Sequence, residues 1–386
     1  MKIHRKFGLN KRMDYYRQNK ENIIQYLKDG CKSPDVPMHF GVELEHFVVR
    51  KDTKEAVSYY GENGIEAILM QLMPMYEESA YSEGHLIALA REGIALSLEP
   101  AAQLEVSISP QTDIGAIMTI YGQFVKEISP ILEKYSYEMV TLGYQPKSKV
   151  EELDLLPKPR YRFMDAYFAK IGPYGRQMMR GTASTQVSID YYSENDFTDK
   201  YGIAYALKDV LAYFCSNSPV YEGGGYSGCT LRDDIWSKTD IRRVDVAGYM
   251  IDGRMSFEDY ADFVLQTPVI VNKDGAQEYY DERTIGEIAK ERIFTEEELT
   301  HVLSMVFPMI RVKHFLEIRF ADSMPMERVL KYVLIIKGLF TDVDYTKTWL
   351  YSEEFETAAI TRRIEIMLKN VMDRLTKEEA EYIKKD

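Results

Sequence analysis

Four short segments of this chain alternate apolar and polar residues with a period of two, the pattern of β-strands that are buried on one face. They are residues 41–49, 103–109, 182–190 and 315–320. In the first segment, Glu43 and Glu45 share a face with Phe47 and Val49. A fully solvated face rarely combines two glutamates with two large apolar residues. We therefore expect this face to be at least partly enclosed.

The other three segments repeat the feature. Their polar faces carry Gln103 with Glu105, then Gln186, and finally Glu317 with Arg319. Each segment alone is what any half-exposed antiparallel strand shows, and an ion pair would be an ordinary role for Arg319. If the four strands are neighbours in one sheet, however, their polar faces form a concave and strongly negative surface.

Such a surface predicts a divalent cation. Enclosed carboxylates repel each other and lose hydration, so they need a compensating charge. Carboxylate and amide oxygens without a set of Cys or His ligands favour Mg²⁺ or Mn²⁺ over zinc. Magnesium held by carboxylates usually serves phosphates, so the expected ligand is a nucleoside triphosphate. Arg319, two residues after Glu317 on the same face, is then placed to neutralise a transferring phosphoryl group.

The composition excludes several other functions. The 386 residues carry a net charge of 48 − 61 = −13, so the basic face that nucleic-acid binding needs is not expected. No apolar run approaches the ~18 residues of a membrane span. Residues 1–6 are basic but lead into no apolar core, so we expect no signal peptide. Cys31, Cys215 and Cys229 are widely spaced without a CxxC, which predicts reduced thiols in a cytoplasmic protein.

The rest of the chain predicts one domain over residues 1–386, because it contains no repeat and no long linker. Apolar periodicity predicts helices at residues 12–29, 113–137, 198–216, 325–340 and 352–384. Residues 146–159 are interpreted as a surface loop. His46 and His314 fall on apolar strand faces and are expected to be core or interface residues.

Motifs for other chemistries are missing or weak. The sequence contains no GxxxxGK[ST], HExxH or GxSxG. Residues 223–228 satisfy GxGxxG, but no clear strand precedes them and no helix start follows. This stretch is better interpreted as a flexible loop near a ligand than as a dinucleotide site.

At this point the ordered motifs resemble a known family. Gly41-Val42-Glu43-Leu44-Glu45, followed by Leu98-Glu99-Pro100 and Gln103-Leu104-Glu105, is similar to the E-x-E strand and the E-P-x-x-Q-x-E segment of plant-type glutamate–cysteine ligases. The similarity covers most of residues 38–340. Further pieces in the same order are Arg160-Tyr161-Arg162-Phe163-Met164, Met178-Met179, Thr182, Gln186-Val187, Asn217-Ser218-Pro219, Glu222-Gly223, Leu231-Arg232, Ile235-Trp236, Thr239-Asp240, Phe307-Pro308, Leu316-Glu317-Ile318-Arg319 and Ala321-Asp322.

The resemblance implies an α+β, glutamine-synthetase-like fold, in which a curved antiparallel sheet forms a funnel flanked by helices. It also implies that ATP phosphorylates the γ-carboxylate of glutamate and that the amine of cysteine attacks the acyl phosphate, the first step of glutathione-type thiol synthesis. Arg319 with Glu317 would be catalytic, and Arg232, Trp236 and Gln103 would bind substrate. The metal ligands implied by the resemblance are Glu43, Glu45, Glu99, Glu105, Gln186 and Glu317.

Three departures from the family pattern surround the substrate pocket. Ala101-Ala102 and Ser323-Met324 replace Gly-Gly pairs, and Gly181 stands at the place of an arginine, with Arg180 one residue earlier. One step along a strand reverses the face, so Arg180 need not inherit that role. A same-fold ligase with another amine acceptor and a non-catalytic glutamate- or nucleotide-binding relative therefore stay open. The retained carboxylates argue against the latter, because a buried acidic cluster without its metal is costly.

Overall fold

The computed structural model describes residues 14–274 and 277–385. The predictions for residues 1–6 and for the first two residues of the 12–29 helix lie outside these ranges. Within them, nine strands form one antiparallel sheet. Its strands are β1 (Phe40–Arg50), β2 (Glu78–Ser82), β3 (His85–Arg91), β4 (Ile94–Leu98), β5 (Leu104–Gln111), β6 (Tyr137–Val140), β7 (Ser184–Ile189), β12 (Ile310–Val312) and β13 (Leu316–Asp322). Two separate hairpins contain the other strands. One pairs β8 (Val220–Tyr221) with β9 (Gly224–Gly225), and the other pairs β10 (Pro268–Asp274) with β11 (Gln277–Thr284).

The four alternating segments are neighbours in this sheet, as the sequence analysis required. The strand order is β12-β13-β7-β1-β5-β4-β3-β2, with β6 paired to the end of β1. The predicted segments therefore become the adjacent strands β13, β7, β1 and β5. Irregularities in register at Phe40/Val42 and Ile318/Ala321 mark bulges, which bend strands. The expectation of an α+β fold with a large antiparallel sheet is confirmed.

The apolar face of the sheet is covered by helices. Val42, Val106, Val187 and Ile318 are almost fully buried in one hydrophobic core, and burying each such side chain stabilises the fold by about 1.5–3 kcal/mol. The helices are α1 (Tyr15–Asp29), α2 (Ile65–Leu72), α3 (Ile114–Lys134), α4 (Pro159–Phe168), α5 (Glu194–Ala206), α6 (Lys208–Phe214), α7 (Leu231–Trp236), α8 (Ile241–Val244), α9 (Phe257–Gln266), α10 (Ile285–Ala289), α11 (Glu296–Leu303), α12 (Met326–Thr341), α13 (Val343–Leu350), α14 (Glu353–Thr357), α15 (Ile360–Met372) and α16 (Lys377–Lys384). No helix in the described ranges is both long and apolar enough to cross a membrane.

The helices predicted at residues 113–137 and 325–340 are found as the single helices α3 and α12, whereas two other predicted helices are divided in the structure. Residues 198–216 fall on α5 and α6, which are separated at Leu207, and residues 352–384 form α14, α15 and α16. Ser352 and Thr376 accept hydrogen bonds from the backbone of Phe355 and Glu379, so each begins a new helix. Amphipathic periodicity continues across such breaks, whereas the N-cap geometry that creates them depends on the local backbone path.

Residues 146–159 form an irregular connection with several exposed side chains, as the sequence analysis expected, but two of its apolar residues are packed into the core. Val150 and Leu156 are fully buried, and a single 3₁₀ turn spans Val150–Glu152. The segment ends at the start of α4, which lies against the polar face of the sheet. The stretch 223–228 was expected to be a flexible loop, but it begins in a tight hairpin, in which Glu222 and Gly223, with φ of 46° and 81°, join β8 to β9.

Candidate active site

The register of the central strands arranges the acidic side chains in rows across the sheet. Glu45 on β1 lies directly opposite Glu105 on β5, and Glu105 lies opposite Ser97 on β4. Two residues earlier on β1, Glu43 lies opposite Gln186 on β7. Because alternate residues share a face, these side chains all project from the face opposite the hydrophobic core.

Two cavities lie along this polar face. The narrow cavity, about 270 Å³, is bounded by the carboxylates of β1 and β5 and by side chains of α4 and α7. The wide cavity, about 660 Å³, lies further along the same strands, over the small residues Gly41, Ala95, Ser107 and Ser188. Glu43 lines both cavities. The two spaces are therefore successive parts of one groove with a carboxylate at the junction.

Glu45 is the most firmly positioned of the four carboxylates. Its oxygens accept hydrogen bonds from the backbone N–H of Ser184 at 2.7 Å, the Ser184 hydroxyl at 2.8 Å and Gln186 Nε2 at 3.0 Å. Glu105 accepts from the hydroxyls of Ser97 at 2.6 Å and Ser107 at 3.3 Å. Each of these carboxylates keeps lone pairs for a further ligand.

The side-chain carboxylates of Glu43 and Glu99 accept no hydrogen bond from the described residues. Burial, reinforced by the charges of Glu105 and Glu317, raises the pKa of Glu43 to about 7. Burial, with Glu105 and Glu45, raises the pKa of Glu99 to about 8. The pKa values of Glu45 and Glu105 are also raised, chiefly by burial. The cluster thus holds more negative charge than its protein surroundings compensate.

The donor set fits a hard divalent cation in its chemistry. Glu43, Glu45, Glu99, Glu105 and Gln186 offer oxygens without competing thiols or imidazoles. In the described part of the chain, no three Asp, Glu, His or Cys side chains converge on one point that could hold an ion. A divalent cation at these oxygens would therefore need phosphate oxygens of a substrate as additional ligands.

Glu317 differs from the other carboxylates because cations surround it. It is fully buried and accepts from Arg311 Nε at 2.6 Å, Lys313 Nζ at 2.9 Å and Arg319 at 2.8 Å. These charges hold its pKa below the usual range although burial opposes them. Arg319 also donates to the Gln186 oxygen. Both oxygens of Glu317 are thus already used by protein donors, so it would reach a metal only by giving up one of them.

Sequence reasoning missed Arg311 and Lys313. Arg311 is opposite Glu317 in the β12–β13 hairpin, and the alternation Ile310-Arg311-Val312 places it on the polar face. β12 has only three residues, too few for periodicity to distinguish it from a loop. The alternating pattern that could have identified Arg311 was therefore present, but it covered only three residues.

Two of the expected substrate-binding residues have unused buried donors beside the narrow cavity. Arg232 and Trp236, both on α7, are buried and line this space. Arg232 donates through one nitrogen to the Arg319 carbonyl at 2.9 Å, but its Nε and the Trp236 Nε1 have no partner among the described residues. Gln103 lines the same cavity, but its amide nitrogen donates to the carbonyls of Arg180 and Thr182. The structure therefore brings all three residues to one cavity. Of the three, only the two on α7 keep a side-chain donor without a described partner.

The departures at residues 180 and 181 have a structural basis. Arg180 points away from the groove and pairs with Asp165, donating to it at 2.9 Å. A Cβ at Gly181 would lie 2.6 Å from the Tyr144 ring, so this backbone excludes any side chain there. The arginine of the family pattern therefore has no equivalent at this place.

The two histidines stay outside the groove. His46 is buried and contacts the Leu104 carbonyl and the Tyr121 hydroxyl, as expected for a core residue. His314 precedes β13 and lies against the Tyr26 ring.

The large antiparallel sheet, with paired carboxylates beside an arginine on one face, has a glutamine-synthetase-like fold. The same fold occurs in the crystal structure of a glutamate–cysteine ligase from Francisella tularensis in complex with AMP, with a TM-score of 0.54 over 91% of this chain and 81% of that chain, at 10% identity. The chain belongs to glutamate-cysteine ligase family 2 (GCS2), whose family model matches residues 39–365. It is therefore a member of an enzyme family, the ligases.

Curated relatives are plant enzymes. Glutamate–cysteine ligase A of Oryza sativa subsp. japonica is 29% identical over 86% of this chain and 70% of its own length. The Brassica juncea and Arabidopsis thaliana glutamate–cysteine ligases are 27% and 28% identical and are covered over 65% and 66% of their lengths.

The prediction of a cytoplasmic protein is wrong by this comparison. The rice, Brassica juncea and Arabidopsis thaliana relatives are all chloroplastic. Cys31, Cys215 and Cys229 are indeed unpaired in the structure. Free cysteines indicate a reducing environment, but they do not distinguish one reducing compartment from another.

Proposed function

We propose that this protein is an ATP-dependent ligase that joins the γ-carboxylate of glutamate to the amine of cysteine through a γ-glutamyl phosphate. One observation carries the proposal. Glu43, with the other uncompensated carboxylates beside it, lies at the junction of two cavities, and Arg319 lines the smaller one. A reaction between a nucleotide and a small acid needs this arrangement, in which phosphates from one side meet a carboxylate from the other.

The wide cavity suits the nucleotide. Its floor consists of Gly41, Ala95, Ser107 and Ser188, which leave room above the sheet, and Phe315 offers an aromatic wall. A nucleotide bound there would direct its phosphates toward Glu43. The negative cluster would repel those phosphates unless a cation lies between them.

The narrow cavity suits glutamate. Arg232 Nε and Trp236 Nε1 are buried donors that favour an anion, and the α-carboxylate of glutamate supplies one. With that end held at α7, the γ-carboxylate extends toward Glu43 and Arg319. The Gln103 side chain, which is hydrogen-bonded to the backbone carbonyls of Arg180 and Thr182, would form part of the wall of this cavity.

Mg²⁺ or Mn²⁺, when bound, supplies positive charge that offsets the phosphate oxygens and the enclosed carboxylates. Its proposed ligands are Glu43, Glu45, Glu99, Glu105 and Gln186, together with Glu317 once that residue releases a protein donor. Arg311 and Lys313, which hold Glu317 before substrates bind, would then be free to contact phosphate.

The proposed chemistry has two steps. A γ-carboxylate oxygen of glutamate attacks the terminal phosphorus of ATP, and ADP leaves. The acceptor nitrogen then attacks the acyl carbon, inorganic phosphate leaves, and the nitrogen loses a proton. Arg319 balances the charge on the transferring phosphoryl group, a contribution that is typically ~10²–10³ in rate.

Phosphate release tests the proposal. Purified protein with Mg²⁺, ATP and glutamate is assayed with a panel of amines, with Arg319→Ala as the inactive control. Phosphate release that is fastest with cysteine supports the proposal. Release with a different amine only would identify a ligase with another acceptor, and no release with any amine would favour a non-catalytic binding protein.

A further inference from the structure

A pair of hydrogen-bonded side chains stands at the outer end of the wide cavity, and the proposed chemistry does not use it. His39 immediately precedes β1 and Asp190 immediately follows β7, and both residues line this cavity. Because Phe40 and Ile189 are paired across the two strands, His39 and Asp190 lie side by side. His39 is four residues from Glu43, which is at most about 13 Å along the strand.

The Asp190 carboxylate is fixed in the fold, but only one of its oxygens has a partner. Asp190 is 7% exposed, and its Oδ2 accepts hydrogen bonds from the backbone N–H and the ring Nδ1 of His39, both at 2.9 Å. Lys200, itself buried, donates to the Asp190 carbonyl at 2.9 Å and holds the end of the strand. Oδ1 accepts no hydrogen bond from the described residues. Because an enclosed carboxylate oxygen without a donor is costly, Oδ1 favours a ligand that brings a hydroxyl or an N–H.

His39 supplies a second acceptor next to the first. An ionised carboxylate can only accept, so the His39 Nδ1 carries the proton that it donates to Asp190, and Nε2 of the neutral ring is then an acceptor. Nε2 contacts no donor among the described residues, and the His39 side chain is 35% exposed. The pair therefore presents two neighbouring acceptors, Asp190 Oδ1 and His39 Nε2, at the end of the cavity that is away from Glu43.

We propose that Asp190 and His39 bind the 2′- and 3′-hydroxyls of the ribose, and that the protein therefore selects ribonucleotides over deoxyribonucleotides. The inference rests on the proposed function, which directs the phosphates of the nucleotide toward Glu43. A triphosphate that starts there brings the ribose toward the outer end of the cavity. The two neighbouring hydroxyls match the two neighbouring acceptors, and a carboxylate is the group that recognises ribose hydroxyls in dinucleotide-binding folds.

Other parts of a nucleotide fit the pair less well. A phosphate would be repelled by the Asp190 carboxylate, which has no cation within hydrogen-bonding distance of its free oxygen among the described residues. The amino group of adenine could donate to Asp190, but the adjacent ring nitrogen is an acceptor and would face the His39 Nε2, which is an acceptor as well. The ribose diol is the part that brings two donors.

The test compares nucleotides that differ by one hydroxyl. With saturating glutamate and cysteine, kcat/KM is measured by phosphate release for ATP, 2′-deoxyATP and 3′-deoxyATP. The wild-type protein is expected to favour ATP over each analogue by about 10-fold or more, since each missing hydroxyl leaves an enclosed acceptor without a donor. Asp190→Ala is expected to reduce both preferences to about 2-fold, with KM for glutamate unchanged. His39→Ala keeps the carboxylate and the backbone donor, so it should fold and lose the preference over one analogue only.

Glu78→Gln is the matched control, because it removes a carboxylate from the rim of the same cavity on β2, which is four strands from β1 or about 19 Å away. It should keep both preferences. A wild-type protein that uses the deoxy analogues as well as ATP, or variants at Asp190 and His39 that both keep the full preferences, would overturn the inference while the proposed function stands. So would a loss of rate with purine riboside triphosphate alone, because the pair would then bind the base. No phosphate release with any nucleotide would remove the proposed function and this inference with it.

Discussion

Glu45 and Glu105 lie directly opposite each other on neighbouring strands, and both side chains project from the same face of the sheet. Like charges in this position destabilise a sheet. Hydroxyl and amide donors hold each carboxylate in place but do not neutralise it. The charges of Arg232 and Arg319 act on Glu45, but burial still raises the pKa of both carboxylates. The protein therefore maintains a repulsive pair, which is expected of a site selected for function rather than for stability.

Glu43→Gln should stabilise the metal-free protein and reduce the additional stability that Mg²⁺ provides. The substitution removes one charge from a buried, mutually repelling group without removing a hydrogen bond from a described donor. In chelator, we expect the melting temperature to rise by about 1–2 °C. This is the shift that an increase of ~1 kcal/mol in the free energy of unfolding produces in a chain of this size. The further rise on adding Mg²⁺ should shrink, and turnover should fall at least ~10²-fold. Thermal melts with chelator and with Mg²⁺ measure the stability effects.

Glu78→Gln is the control for this experiment. Glu78 lines the rim of the wide cavity on the exposed strand β2, away from the carboxylate rows. It should change neither the metal-free melting temperature nor the response to Mg²⁺. If the two variants respond to Mg²⁺ alike, Glu43 is not a ligand.

The stability of the chelated protein should fall as pH rises from 6.5 to 8.5. The folded-state pKa values of Glu43 and Glu99, about 7 and 8, exceed the ordinary value of 4.5. Between these limits the folded state holds more protons than the unfolded state, so raising the pH favours unfolding. Burial lowers the pKa of His46 to about 4, so below pH 6.5 this residue makes the stability rise with pH. The pH range of the measurement therefore begins at 6.5. Mg²⁺ should reduce the slope, because it favours the ionised carboxylates. A slope that Mg²⁺ leaves unchanged would argue that these groups do not face the metal.

Arg319→Ala and Glu317→Gln should fail in different ways. Arg319→Ala removes the proposed phosphoryl contact and should lower kcat by ~10²–10³. Glu317 keeps Arg311 and Lys313 in that variant, so the fold should persist. Glu317→Gln instead leaves three cations without their carboxylate and should also lower the free energy of unfolding by about 3–5 kcal/mol. Steady-state kinetics and urea unfolding of both variants separate the two effects. Near-normal turnover of Arg319→Ala would exclude Arg319 from the mechanism.

Gly181→Ala should destabilise the protein although it adds only a methyl group. The new Cβ would lie 2.6 Å from the buried Tyr144 ring, and such overpacking costs about 1–3 kcal/mol. Gly122→Ala, within α3 and with no atom near its Cβ, should instead stabilise by about 1 kcal/mol. Urea unfolding compares the two. Equal stability of both variants would mean that the Tyr144 ring is free to move, and the family arginine could then be accommodated at position 181.

Much of the groove could be predicted because strand alternation is a local property. The alternation assigned two residues of β1 and two of β13 to the polar face, and the structure places them there: Glu43, Glu45, Glu317 and Arg319. Arg160 could not be placed in this way. Strand alternation does not reach it because it lies in the first turn of α4, and only the packing of that helix against the sheet brings it to the narrow cavity.

The sequence by itself determined which residues share a face, because side chains alternate every residue in a strand wherever that strand lies. Only the tertiary structure decided which carboxylates oppose each other, which of them protein cations neutralise and which donors stay free. Those properties depend on the register between distant segments and on side chains that meet across the groove. Glu317 and Glu43 are both glutamates on alternating strands, yet one has a lowered and the other a raised pKa. Arg319 lies beside Glu317 in the sequence, but Arg311 and Lys313 reach it only because the β12–β13 hairpin folds back on β13.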